Sequence, residues 1–530
     1  MPETGQQMND SDSGKPRRIN YLAALFPVVA LIGLLVVNVI IYSDDATYGP
    51  NQIALLVSAA IAAGIGYFYR IPFTKMLNGV VNGISSAMGA ILILLMIGSL
   101  AGTWMLSGVV PAMIYYGLDI LSPQIFLVAS CIICIIVSVA TGSSWSTVAT
   151  VGIALLGIGD ALGISQAMTA GAIISGAYFG DKISPLSDTT NLAAAMAGCE
   201  LITHIRYMLW TTVPSILIAL GVFWYLGTSA DPQVTVAQSE ALADAIDARF
   251  HLSPLLFLVP AAVIAMVIFR VPALVALFFG TLLGGLFALI FQPDLVKEVA
   301  GSVDLGKTVA DWPEGIRNAT QFLAECYTGI VNALFGEIAV GPELTEAEAA
   351  AVANDDLSVL NTDQTARVLA NDLLGASGMF GMMNTVWLVI CAMSFGGVME
   401  ACGFLRRLSE PLVNLAKSDG SLVATTAGSC LFVNMTASDQ YLAIVVPGRM
   451  FRETFEDREL APENLSRTLE DSGTVTSALV PWNTCGAYHA GVLGVATLSY
   501  LPFCVFNYVS PVMTMLFAFV GIRIRRLKKG

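Results

Sequence analysis

Apolar runs without charge recur along the chain, at Tyr21–Tyr42, Ile53–Tyr69, Val271–Phe291 and Val386–Met399 with its flanks. About twenty such residues cross the hydrocarbon core of a bilayer as one helix. Strands of a membrane barrel alternate in short segments instead, and these runs do not alternate. The pattern predicts an all-α membrane protein. Two segments, 122–160 and 421–450, are apolar at their ends and polar in the middle, at Thr141–Thr147 and Asn434–Asp439. As one helix, the first would be about 58 Å long, too long for a single crossing. Both are expected to be re-entrant hairpins that return to the side they left.

Composition agrees with this pattern. Of 530 residues, 56% are hydrophobic and 12% charged, against roughly 25% charged in soluble domains. Lys15, Arg17 and Arg18 precede an apolar run too long for a signal-peptide core, so that run reads as a retained first helix. The Cys131-x-x-Cys134 pair sits in an apolar helix without nearby ligands and reads as core thiols. No cofactor is expected, and no nucleophile–base pair or metal cluster suggests an enzyme.

Charge sets the orientation, because short basic loops stay in the cytoplasm. Lys15, Arg17, Arg18, Arg70, Lys75, His204, Arg206, Arg270, Arg406, Arg407 and the basic end Arg523–Lys529 fall inside; Asp44, Asp45 and the acidic stretches 229–250 and 293–380 fall outside. These assignments alternate if there are about ten crossings, near 20–42, 52–69, 86–106, 163–200, 207–228, 252–269, 271–292, 383–403, 470–504 and 505–523. Both termini are then cytoplasmic, and the expected location is a bacterial inner membrane. Segment 293–380 holds 14 acidic and 4 basic residues. It reads as a solvated extracytoplasmic insertion or as a gatherer of cations. Its charge excludes nucleic acid as a partner.

The chain also repeats itself at an offset of 295 residues. Ser99, Gly102 and Gly108 match Ser394, Gly397 and Gly403. Thr141 and Ser143 match Thr436 and Ser438, and Asp188-Thr189 matches Asn483-Thr484. The charge map gives the halves opposite orientation, five crossings and one hairpin each. Inverted repeats with broken helices at the midplane are a signature of secondary transporters. The chain divides into a tail 1–19, a first repeat 20–228, a loop 229–251, a second repeat 252–523 carrying the insertion 293–380, and a basic tail 524–530.

Unpaired backbone is costly in lipid, so non-helical breaks mark a lined cavity. Four breaks stand at matching places: the two hairpin tips, Gly180–Asn191, and Glu470–Ser477 continuing to Pro481–Thr484. Their hydroxyls, amides and carboxylates are hard oxygen donors, suited to a small cation. The candidate ion- and proton-binding residues are Asp181, Ser184, Ser187, Asp188, Thr189 and Asn191; Thr141, Ser143 and Ser144; Thr436, Ser438 and Asp439; and Asp471, Asn483 and Thr484. Carboxylates matter most, because an intramembrane acid is a functional candidate by default. Burial favours the protonated form, so a cation that displaces the proton gives exchange at one site. Asp188 and Asp439 are the first choices, with Asp439 in the place of Ser144. Asp181 beside Lys182 could instead be a structural pair, and Glu470-Asp471 could open a helix. Arg449, Arg452, Arg458 and Arg467 read as a solvated loop. The core then holds Lys182 and no buried arginine, which favours a bare cation over a carboxylate substrate.

At these residues the chain resembles the NhaC family of sodium/proton antiporters. The stretches carrying the resemblance are Ser175–Ala193, Ser466–Gly486, Ala140–Gly152 and Met382–Gly403. The resemblance implies exchange of sodium, or lithium, for protons across the bilayer. It places Asp181, Ser184, Ser187, Asp188, Thr189 and Asn191 in the family's most characteristic motif. Gly375-Ala-Ser-Gly378 stands where the family often has an arginine-glycine-glycine run. Related carriers exchange organic acids such as malate and lactate with sodium and protons, which is the main alternative; a passive channel is the third. Transporters of this superfamily are often homodimers. One test of topology is accessibility of cysteines placed at Asp160 and Arg449: Asp160→Cys is expected to label from outside and Arg449→Cys from inside, and labelling of the latter from outside would break the hairpin scheme.

Overall fold

The computed structural model describes residues 19–42, 46, 48–120, 122–229, 236–269, 271–303, 305, 312–354, 360–413 and 417–527. The charges Lys15, Arg17, Arg18, Asp44, Asp45, Arg270, Lys528 and Lys529, used above for orientation, lie outside the described residues. The chain is almost wholly helical. Among the described residues eight helices are long and apolar enough to cross a membrane, or up to ten if two bent pairs each count as one span.

The first part runs through α1 (Tyr21–Tyr42), α2 (Pro50–Phe68), α3 (Phe73–Leu106), α4 (Val109–Ile120) and α5 (Pro123–Thr141). It continues with α6 (Ser144–Thr147), a π-helical turn (Val148–Gly152), α7 (Ile153–Ala161), α8 (Gln166–Ile183), α9 (Asp188–Ala197) and α10 (Leu201–Ser229). The expected third crossing, 86–106, starts too late: α3 begins at Phe73 and has 34 residues. Its polar-looking start, with Gly79 and Gly83, is a packing surface. A Cβ at Gly79 would lie 2.4 Å from the Gly397 carbonyl oxygen, and one at Gly397 2.4 Å from that of Gly79. Small residues let helix backbones approach this closely in a membrane.

Next come α11 (Val236–Arg249), α12 (Leu258–Ile268), α13 (Ala273–Phe291), α14 (Pro293–Ala300), α15 (Glu314–Phe335), β1 (Ile338–Ala339), α16 (Glu346–Ala353), α17 (Thr362–Leu373), β2 (Gly375–Ala376) and α18 (Gly378–Gly381). The acidic insertion is thus a folded cap. Thr345 and Glu348 form a reciprocal capping box at the start of α16. The two short strands pair antiparallel, Ile338 opposite Ala376. Helix α17 packs on α11, and Arg249 ties the preceding loop to the insertion through Glu298 and the Val340 carbonyl. The end of α15 docks on α3, where Ser99 Oγ donates to the Leu334 carbonyl at 2.9 Å.

The last part holds α19 (Met383–Ala401), α20 (Phe404–Val413), α21 (Asp419–Thr436), α22 (Gln440–Asp457), α23 (Pro462–Leu469), a π-helical turn (Glu470–Thr474), a 3₁₀ turn (Ser477–Leu479), α24 (Thr484–Leu493), α25 (Thr497–Tyr500) and α26 (Val505–Val520). Helices α2 and α13 have equal lengths of 19 residues. Helix α2 packs on α19 as α13 packs on α3. The expected crossings 163–200 and 470–504 are each interrupted, at 184–187 and 477–483. Both tip segments fold back: α7 returns to α4, which precedes α5, and α22 runs along α21.

Candidate functional site

The two tips have the same construction. Helix α5 ends at Thr141, Gly142 turns left-handed at φ 68°, and Ser143 caps α6, its Oγ accepting from Ser146 N at 3.2 Å. Helix α21 ends at Thr436, Ser438 turns left-handed at φ 60°, and Asp439 caps α22, its Oδ1 accepting from Leu442 N at 2.9 Å. The second tip is one residue longer. Matched by their caps, Asp439 therefore stands in the place of Ser143, not Ser144. The extra residue breaks the 295 register there, which the unbroken alignment could not reveal. Ser187 and Asn483 likewise share the capping role before α9 and α24, so Asn483 matches Ser187 rather than Asp188.

Each tip abuts a broken helix. A Cβ at Gly142 would lie 2.5 Å from Leu186 Cβ, so a left-handed turn without a side chain is required there. Ser144 donates to Asp181 Oδ2 from its N (3.1 Å) and its Oγ (2.7 Å). Thr141 Oγ1 lies 3.4 Å from Thr147 Oγ1. Ser184 Oγ donates to the Val139 carbonyl at 2.9 Å. Asn191 Nδ2 donates to the Pro185 carbonyl in the break (3.1 Å) and to the Ser187 carbonyl (2.6 Å), which also accepts from Asn191 N at 3.2 Å. At the other tip, Thr484 N donates to the Ser438 carbonyl at 3.0 Å. Asn434 donates to the Gly473 carbonyl (2.7 Å) and to Thr476 (3.0 Å), and accepts from Asn483 at 3.0 Å. Thr436 Oγ1 bonds only its own helix, at the Phe432 carbonyl, among the described residues.

Side chains from the two parts of the chain meet between the tips. Tyr441 donates to Asp188 Oδ2 at 2.6 Å. Thr189 Oγ1 donates to Glu470 Oε1 at 3.2 Å, and Ser187 Oγ lies 3.0 Å from Thr189 Oγ1. Tyr178 lies 3.4 Å from Ser477 and 3.1 Å from His489 Nε2. Trp145 stacks on Tyr488 at 4.0 Å between centroids. Asp181 and Asp439 are buried, each 6% exposed, whereas Asp188 is exposed. The Oδ1 of Asp181, the Oγ of Ser438 and the Oε2 of Glu470 are buried without a hydrogen-bond partner. Buried oxygens left this way are costly unless a proton or cation joins them.

Four charged residues stand where the sequence did not put them. Lys182 forms its ion pair with Asp471, not Asp181, and both side chains are fully buried. Lys182 Nζ also donates to Ser510 at 2.8 Å, and Asp471 Oδ2 accepts from Thr211 at 2.8 Å. Glu470 and Asp471 do not open a helix from a loop; they lie in a buried π-helical turn, the kind of bulge that recurs at functional sites. Arg467 is not solvated: it is fully buried, 4.7 Å over the Tyr207 ring. The expectation of a core without a buried arginine is therefore wrong. Arg467 nevertheless belongs to the foot of α10, where its Nη1 donates to the Arg523 carbonyl. Sequence reasoning also missed Tyr441 and Tyr178. The position of Tyr441, two residues past Asp439, was the available signal; Tyr178 gave none beyond its helix.

A family model described as the Na+/H+ antiporter family matches residues 176–302 and 362–522. The Na(+)/H(+) antiporter NhaC of Alkalihalophilus pseudofirmus is 36% identical over 471 residues, 89% of this chain and 90% of that one. The Malate-2H(+)/Na(+)-lactate antiporter of Bacillus subtilis is 31% identical over 503 residues, 94% of this chain and 95% of that one. The NhaC protein of the same organism is 32% identical over 497 residues, 93% of this chain and 98% of that one.

The buried ion pair makes a stability prediction. Lys182→Met leaves Asp471 charged and alone, at a cost of about 3–5 kcal/mol, and Asp471→Asn strands Lys182 in the same way. The double variant removes both charges and is expected to recover most of the loss, read as thermal melting in detergent. A double variant melting as low as the two single losses combined would show that the pair is not coupled.

Proposed function

Because the chain belongs to the Na+/H+ antiporter family, we propose that it is a secondary active transporter exchanging sodium for protons by alternating access. The observation that carries this reading is a buried carboxylate, Asp181, held on one oxygen by a hairpin tip and left without a partner on the other. Sodium must exchange its hydration shell for protein oxygens. Hydroxyls of Thr141, Ser143, Ser144, Ser184, Ser187, Thr189, Thr436, Ser438 and Thr484, the amides of Asn191 and Asn483, and freed carbonyls at the breaks supply them. Lithium fits the same donors.

Asp181 and Asp439 are the exchanging carboxylates, each carrying either a proton or the cation. A buried carboxylate with neither is strongly disfavoured. The carrier therefore changes sides only when occupied, which couples the two fluxes and prevents a leak. Asp188 is exposed and steadied by Tyr441; it receives the ion before the buried site does. Asp471 is neutralised by Lys182 and holds the broken helices together. The two parts of the chain act as inverted repeats of five crossings and one hairpin each, rocking about the midplane. The protein works as a homodimer in a bacterial inner membrane with both termini cytoplasmic.

Organic-acid exchange remains the second reading, supported by the similarity to the malate/lactate antiporter. A carboxylate substrate needs an unpaired cationic donor at the site. Among the described residues Lys182 is already paired with Asp471, and the buried Arg467, whose Nε and Nη2 have no hydrogen-bond partner, lies against Tyr207 and the Arg523 carbonyl instead of the tips. A bare cation is thus favoured, and closed tips against broken helices speak against a passive pore.

Dequenching in proteoliposomes under a proton gradient tests this, with sodium, lithium, potassium, malate and lactate added in turn. Sodium, and lithium by the same donors, is expected to evoke exchange without any organic acid; dependence on malate or lactate would establish the second reading. Asp181→Asn and Asp439→Asn are expected to abolish exchange in folded protein, and Asp188→Asn to raise the sodium KM. Competition at one carboxylate also sets a sign: the sodium KM falls as pH rises, since fewer protons contend for the site. A sodium KM independent of pH would remove the shared-site mechanism.

A further inference from the structure

A cavity of about 510 Å³ lies at the foot of α10 and is lined by Thr203, Arg206, Tyr207, Trp210 and the tail residues Arg523–Arg525. It is built rather than incidental. The segment after α26 does not trail away but is pinned: Tyr207 Oη donates to the Arg523 carbonyl, Asn464 Nδ2 to the Arg525 carbonyl at 2.7 Å, and Ala461 N to the same carbonyl at 2.9 Å. Arg525 is neutralised by Glu463 at 2.9 Å. Arg206 and Arg523 have no carboxylate partner among the described residues. Arg523 instead lies 3.8 Å over the Trp210 ring.

We propose that this cavity binds the phosphate headgroup of an anionic phospholipid. Phosphate is the anion that two unpaired guanidinium groups recognise by paired hydrogen bonds. The lipid, rather than a soluble phosphate, follows from what adjoins the cavity. Trp210, Val213, Leu217 and Trp224 form an exposed apolar stripe up α10, and Phe519 and Val520 are exposed on α26, which packs beside it. Acyl chains have a place to lie directly above the arginines. Tryptophan with arginine at a helix end also marks the level where headgroups meet hydrocarbon, and basic pockets between membrane helices on the cytoplasmic side take such headgroups. The tail is part of the site, so bound lipid also staples the end of α26 to α10 and α23.

The test uses the full chain in phosphatidylcholine nanodiscs carrying a small fraction of brominated phosphatidylglycerol or brominated phosphatidylcholine. Quenching is read as the tryptophan component lost in Trp210→Phe. Two unpaired arginines are expected to enrich phosphatidylglycerol on the order of tenfold over phosphatidylcholine. Arg206→Gln with Arg523→Gln is expected to erase the preference, and the paired lysine variant, which keeps the charge, to retain part of it. Equal quenching by the two lipids in the unaltered chain overturns the proposal. So does displacement of the brominated lipid by millimolar glycerol phosphate, which would assign the cavity to a soluble anion.

Discussion

A peptide group stripped of its hydrogen bond cannot stand in hydrocarbon. Everything at the centre of this molecule follows from that constraint. The chain interrupts α5/α6, α8/α9, α21/α22 and α23/α24 within its apolar segments, and each interruption is admissible only because another lies against it. The first tip rests on Leu186 and Ser187; the second receives Thr484 N on its Ser438 carbonyl. Asparagines do the remaining work, Asn191 reading the carbonyls of one break and Asn434 and Asn483 closing the other. Oxygens that are not used up in this mutual repair become available to an ion.

Charge is governed by the same economy. Lys182 and Asp471 are paired and further held by Ser510 and Thr211, so they add no net charge to the centre. Asp181 and Asp439 lack a cationic partner among the described residues, so no neighbouring side chain cancels a charge placed on them. The buried acids are thus of two kinds, one neutralised within the fold and the others not.

Much of this was legible in the chain. Apolar runs such as Tyr21–Tyr42 revealed themselves because nothing in them competes with a helix, and polar interruptions such as Thr141–Thr147 stood out against those runs. What stayed hidden depended on distant partners. The expected third crossing leaves out the first half of α3, whose Gly79 and Gly83 are explained only by the close approach of α19. The sequence offers Asp181 as one possible partner of Lys182, and pairing across the fold with Asp471 leaves no local trace. Arg467 sits among charges that would be solvated in any isolated loop; the returning tail and Tyr207 enclose it. The offset of 295 residues located the breaks, but a single added residue at the second tip shifted which side chains truly correspond.

That added residue also bears on symmetry. Gly142 and Ser438 make the same turn, yet one tip is shorter, carries no side chain at the bend and ends in serine, while the other ends in aspartate. The two tips are therefore not interchangeable. A hydroxyl caps one helix where a carboxylate caps the other, so the two ends present unlike oxygens and exact two-fold equivalence is lost where they lie.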